Sequence, residues 1–159
     1  MRREPIGMRR TLLTCLITLL LASSSFADTI TNWEVGFEVS IPSSWLRQEG
    51  GAAGVKLASG DVKLDITPFT GSTLAEKIAR IHKERKPEGY EFKGERSYAL
   101  NEVPAHEMTF YRDGKYLIYH VLMAGDRGIL LTLRSVGTDS EDFHQAQDVI
   151  SGFRVLPLR

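Results

Sequence analysis

Residues 106–133 leave this chain little choice of fold. Three apolar-rich runs, 106–112, 116–124 and 129–133, are separated only by turn-forming residues. Asp113-Gly114 suits a type I′ hairpin, whose two central positions both need positive φ. A second turn is expected at Asp126-Arg127, flanked by Gly125 and Gly128. Strands joined by so few residues must pair antiparallel, because a parallel crossover needs a dozen residues or more. Residues 129–133 are apolar on both faces, so this run is expected to be a central strand covered on both sides.

The remaining pattern has to pack on that meander. Phe37, Val39 and Ile41 alternate with Glu38 and Ser40 as far as Pro42, a half-buried strand. Val55 and Leu57 lead through Gly60-Asp61 into residues 62–66, again alternating, which reads as a hairpin. A further strand is expected around residues 96–100. Twice the period becomes helical. Thr73 and Glu76 form a capping box ahead of Leu74, Ile78 and Ile81, and Pro87 must stop that helix. Thr138 with Glu141 is expected to open a second helix, with Phe143, Ala146, Ile150 and Phe153 on its apolar stripe and Gly152 at its end. Strand-rich stretches with isolated helices predict an α+β domain, a mainly antiparallel central sheet flanked by helices. Its expected core is Phe37, Val39, Ile41, Leu64, Ile66, Ile78, Ile81, Leu131, Leu133, Phe143, Ile150 and Phe153.

Residues 1–27 read as an address label and not as part of the domain. Arg2, Arg3, Arg9 and Arg10 precede an apolar run over residues 11–22, and Ser25-Phe26-Ala27 is a small-x-small cleavage site. The run is well short of the roughly 20 residues that span a bilayer, so a cleaved signal and no stable membrane anchor is expected. Cleavage between Ala27 and Asp28 leaves a single domain, residues 28–159, in the periplasm or outside the cell. Met1 and Met8 both remain possible starts. The only cysteine, Cys15, lies in the removed segment, so the exported domain has no disulfide and relies on its core. Removal takes four of the 20 basic residues and one of the 20 acidic, leaving 16 against 19. A net negative exported domain is not expected to bind nucleic acid.

In three stretches the chain resembles the PsbP-like superfamily, which includes thylakoid-lumen PsbP proteins and bacterial DcrB-like envelope proteins. The likeness lies in Phe37-Glu38-Val39-Ser40-Ile41-Pro42 followed by Trp45, in Leu100-Asn101-Glu102-Val103-Pro104-Ala105 feeding the meander, and in the ending Ile150-Ser151-Gly152-Phe153. It extends over nearly all of residues 33–156, and the DcrB-like proteins are closest in character. One departure is Asn101-Glu102-Val103, where a glycine often precedes the Pro-Ala pair. The resemblance implies an α/β/α sandwich, and a binding or assembly role more than catalysis.

Chemistry-bearing residues are few. The Asp113-Gly114 turn sets Tyr111 opposite Tyr116 and Glu107 opposite His120. A carboxylate beside an imidazole is the minimum for acid–base work, but a third partner is not legible, and the pair reads as a cross-strand ion pair steadying the sheet. No two histidines share a chelating spacing, and no nucleophile elbow or phosphate loop occurs. No catalytic residue, cofactor or metal is therefore expected. Trp45 reads as a core plug. Trp33 reads as a contact anchor or a sheet-edge cap. Lys77, Arg80, Lys83, Arg85 and Lys86 form a basic run, either a contact for an anionic partner or a solvated helix face. Trp33, Lys77, Arg80 and Lys83 are the candidate interaction residues. The expected function is a non-catalytic periplasmic binding or assembly factor acting on an envelope protein. The alternative is a small-ligand carrier with an apolar pocket between sheet and helix.

Overall fold

A computed structural model describes residues 27–51, 53–86 and 88–157. The address segment, apart from Ala27, lies outside the described residues. The elements in order are β1 (Ala27–Asn32), β2 (Phe37–Pro42), β3 (Leu46–Glu49), β4 (Val55–Ser59), β5 (Val62–Thr70), α1 (Leu74–Arg85), β6 (Glu91–Leu100), β7 (Val103–Arg112), β8 (Lys115–Ala124), β9 (Arg127–Val136), α2 (Glu141–Ser151) and β10 (Arg154–Val155).

Seven strands make one antiparallel sheet in the order β3-β4-β5-β9-β8-β7-β6. The meander forms as expected. Asp113 and Gly114 take φ of 50° and 79°, and Tyr111 faces Tyr116 across the turn. The following turn sits one residue earlier than expected, at Gly125-Asp126, with Ala124 opposite Arg127. Gly125 is the reason: its φ of 67° supplies the positive φ at the first central position, as a type II′ turn requires. Strand β9 lies between β5 and β8 and, like β8, is largely enclosed, including a buried Thr132.

Alternation along β8 and β9 divides the core between the two sheet faces. Leu117, Tyr119 and Val121 join Ile81 of α1, with Met108 and Phe110 of β7. Ile118, Leu122, Ile129, Leu131 and Leu133 join Phe143, Ala146, Val149 and Ile150 of α2. The helices therefore cover opposite faces. A second, three-stranded sheet, β1-β2-β10, was not foreseen and shares the α2 side. It contributes Ile30, Phe37, Val39 and Ile41 to the same cluster, where Phe37 stacks on Phe153 at 5.5 Å. The single helix-flanked sheet expected from the pattern is thus two sheets. Arg127 ties them by donating to the carbonyls of Val35 (3.0 Å) and Leu156 (3.2 Å).

Of the expected core, only Ile78 is less than fully buried. The capping box of α1 is complete: Glu76 N donates to Thr73 Oγ1 (3.2 Å) and Thr73 N donates to Glu76 (2.8 Å). The cap of α2 is Ser140 and not Thr138. Its hydroxyl accepts from Phe143 N at 3.1 Å, the third helical position an N-cap oxygen reaches. Strand β6 begins at Glu91, five residues earlier than expected, because a bulge between Phe92 and Gly94 hides its alternation. Trp45 is buried as expected and donates from Nε1 to Gln145 of α2 at 3.0 Å. Phe69 of β5 lies over Gly128 of β9, opposite it in the ladder, and fills the space a Cβ there would occupy.

Candidate functional site

Two features stand out on this scaffold: a small polar cleft under α2 and a larger open groove on the opposite sheet face. The cleft grows from the one pair the turn register foretold. Glu107 and His120 are opposite each other on β7 and β8, as expected. The third and fourth groups come from β6, whose pairing places Arg96 opposite Glu107 and Tyr98 opposite Ala105. The small Ala105 side chain lets the Tyr98 ring reach past it, and the phenol oxygen lies 2.8 Å from His120 Nδ1. Arg96 donates to Glu107 Oε2 at 2.7 Å. With Leu100, Gln147, Ile150 and Ser151 these side chains enclose about 140 Å3.

Burial governs the chemistry of this cluster. It pushes the Tyr98 phenol up to about 12, so Tyr98 keeps its proton and donates to His120 Nδ1. It pushes His120 down to about 4, against a smaller opposing pull from Glu107. His120 is therefore a neutral imidazole at neutral pH, with its proton on the other nitrogen. Glu107 Oε2 stands 3.7 Å from Nδ1, beyond hydrogen-bond distance, and is engaged by Arg96. The arrangement is two hydrogen-bonded pairs side by side, Tyr98 with His120 and Arg96 with Glu107, in which the imidazole faces a phenol and no carboxylate orients it.

A second polar cluster occupies the α1 side of the same strands. Glu95 Oε2 accepts from His82 Nε2 (3.0 Å) and from His106 Nε2 (3.2 Å), and Ser97 Oγ lies 2.9 Å from His106 Nδ1. An ionised carboxylate only accepts, so both Nε2 atoms carry protons. The His82 bond, then the His106 bond, holds Glu95 below the usual carboxylate range. Spacing gave no hint that two histidines would meet here. Even so, no group among the described residues is arranged to hold a metal ion.

The basic run on α1 does not act as one face. Lys77 is buried, with its ammonium 4.6 Å from the centre of the Phe69 ring, and burial pushes its pKa down. Arg85 pairs with Glu84 and Glu88 and lies over Tyr119. Arg80 stays about half exposed beside Glu84, and Lys83 is exposed. Lys77 thus leaves the set of candidate interaction residues, because its stem packs under the helix. Trp33 is 53% exposed in the turn between β1 and β2, a turn closed by Gly36 N on Asn32 O. Of the cleavage pair, Asp28 is exposed in β1 opposite Ile41. Ala27 opens the same strand.

The groove was not foreseen. Helix α1 packs over β8 and over Phe69 of β5 and Leu130 of β9, leaving bare the same face of β3 and β4 and of the ends of β5 and β9 that carry Lys63, Asp65 and Arg134. There Leu46, Gln48, Lys56, Ala58, Lys63, Asp65 and Arg134 line about 490 Å3 of open space. Asp65 is bound by Arg134, so Lys56 and Lys63 set the local charge. Alternation made these residues outward-facing in the sequence, but only the position of α1 shows that they stay uncovered.

This architecture defines a PsbP-like fold: antiparallel sheets with two packed helices. Among solved structures, the cyanobacterial PsbP (CyanoP) of Synechocystis sp. PCC 6803 matches with a TM-score of 0.64 at 14% identity, over 84% of this chain and 95% of that one. LpqN of Mycobacterium tuberculosis, described as involved in cell envelope biogenesis, matches with a TM-score of 0.57 at 11% identity, over 82% and 91%. A Pseudomonas aeruginosa protein of unknown function, PA94, matches at 0.52 and 16% identity, over 84% and 98%. At such identities the likeness is one of fold. No family model matches the chain, and no curated protein does.

Proposed function

We propose that this chain is an exported, non-catalytic binding or assembly factor acting on an envelope protein, close in character to the DcrB-like proteins. The observation that carries the reading is the contrast between the concavities beside α2 and the groove. The concavities between the sheets and α2 are about 140 Å3 beside Tyr98 and His120 and about 260 Å3 beside Ile41 and Val149, both below the roughly 300–1,000 Å3 of small-molecule pockets. The larger, 490 Å3 concavity is an open, charged groove on a sheet face, the shape of a protein contact. A carrier of an apolar molecule would need the reverse. The neutral His120 and the engagement of Glu107 by Arg96 support a structural role for these two pairs. The description of LpqN as an envelope-biogenesis protein supports an envelope setting. No helix among the described residues is long and apolar enough to cross a membrane. Export rests on the signal pattern of residues 1–27.

Proximity crosslinking in intact cells of the source organism, read by mass spectrometry, tests the proposal. The expected result is one reproducible envelope protein. Retention of the chain in the cytoplasm would overturn it, as would a folded Glu107→Gln variant with the phenotype of a deletion.

A further inference from the structure

We infer that the open groove takes an extended acidic segment of the partner, added as a strand to the free edge of β3. This rests on the reading that the partner is a protein, and it specifies where and how that protein is held. Two independent features converge on it.

The first is backbone. Strand β3 is the terminal strand of the seven-stranded sheet, and all four of its residues are exposed. Gly50 N donates to Gly54 O at 2.8 Å. Bonded pairs alternate in an antiparallel ladder, so Gln48 and Leu46 also point their backbone groups at β4. The N–H and C=O groups of Arg47 and Glu49 consequently face outward. They form a short row that an incoming strand can satisfy, the mode by which sheet edges bind peptides.

The second is charge. Residues directly opposite on paired strands share a face, which puts Leu46 and Gln48 on the groove side with Ala58 and Lys56. Strands lie about 4.8 Å apart, so Lys56 would stand about 10 Å from an added strand. A glutamate on that strand and the lysine can meet across the gap. Lys63 extends the positive lane, and Asp65 is already neutralised by Arg134. This lane lies on a domain whose exported part carries 19 acidic against 16 basic side chains, so the positive charge is local. Leu46, 69% exposed on the groove side, offers the aliphatic stem of an acidic residue an apolar contact at one end. The fitting occupant alternates acidic with apolar residues, the acids toward the groove.

A fluorescein-labelled peptide of seven alternating Glu and Val residues is the probe, and fluorescence anisotropy with the purified 28–159 domain the readout. Binding is expected to weaken as salt rises and to fall roughly fivefold to tenfold in Lys56→Gln/Lys63→Gln, two exposed pairs lost. Both lysines are exposed, so the variant should fold, and its thermal midpoint checks this. Amide exchange at Arg47 and Glu49 is expected to slow on adding peptide, a sign that charge attraction alone would not give. No peptide binding, binding that the double variant keeps, or unchanged exchange at both amides overturns the inference. So does a preference for phosphatidylglycerol vesicles over the peptide. If crosslinking in cells still captures an envelope protein after such a result, the functional reading stands and only this site falls.

Discussion

The Tyr98 hydroxyl on β6 donates to Nδ1 of His120 on β8 at 2.8 Å, across the intervening strand β7 and beneath α2. Buried there and held by this bond, the histidine stays neutral where the unfolded chain would let it charge.

The consequence is a stability that depends on acid. His120 is near 4 in the folded protein and near 6.5 unfolded. Between those values the unfolded chain binds the extra proton, so stability rises with pH across the window and falls as pH drops from about 6.5 toward 4. A tenfold difference in proton affinity between the folded and unfolded chains corresponds to about 1.4 kcal/mol, so the total loss is of the order of a few kcal/mol. Urea midpoints at pH 7.5 and 5.0 should differ in the wild type. His120→Gln, which keeps an acceptor for Tyr98, should reduce that difference. An equal fall in both proteins would place the acid sensitivity elsewhere.

The turn between β6 and β7 carries avoidable strain. Asn101 and Glu102 both have positive φ, 46° and 71°, as a type I′ turn demands. Glutamate suffers a steric cost there that glycine does not. Glu102→Gly, giving Asn-Gly, should stabilise the protein by up to about 1 kcal/mol. Thermal unfolding checks this, and a lowered midpoint would contradict it. Asn101 itself is better left alone, since its side chain donates to Phe153 O at 2.7 Å and holds the end of α2.

Leu131 and Phe153 are at most 1% exposed and belong to the cluster joining the large sheet, the small sheet and α2. Truncating either to Ala should cost roughly 2–5 kcal/mol. Denaturant midpoints unmoved by both changes would mean that this cluster does not hold the two sheets together.

Two lysines of α1 should respond differently to truncation. Lys77→Ala removes a packed stem and its contact with the Phe69 ring, and should cost about 1–2 kcal/mol. Lys83→Ala, on the exposed side of α1, should stay within about 0.5 kcal/mol. Equal effects in thermal melts would refute the inward placement of Lys77.

Much of this fold could be read from local rules. Asp113-Gly114 demands one turn geometry, and counting outward from it puts Glu107 against His120. The same counting from Asn101-Glu102 would have put Arg96 against Glu107. The signal was present, but a glutamate at a position favouring glycine disguised the turn. The bulge at Phe92/Gly94 then broke the alternation of β6. Strand β1 and the short β3 and β10 carry too few apolar residues to announce a partner, and two of them join a separate sheet whose existence depends on distant packing. The burial of Lys77 was invisible for a related reason. Nothing near it in the chain says that Phe69 will lie under it, because Gly128, far along the sequence, sets that ring's position.

That stack, glycine under phenylalanine under lysine, ties the Phe69–Lys77 stretch to a position remote in the chain. A methyl group at 128 displaces the ring, and the displaced ring takes away the seat of the α1 lysine. A ring smaller than phenylalanine at 69 leaves a glycine uncovered in the middle of a paired strand. Neither change is acceptable alone, so descendants of this sequence should pass through them in pairs. Across related chains, positions 69 and 128 should exchange bulk in opposite directions, with position 77 keeping a long aliphatic stem only where the aromatic ring persists.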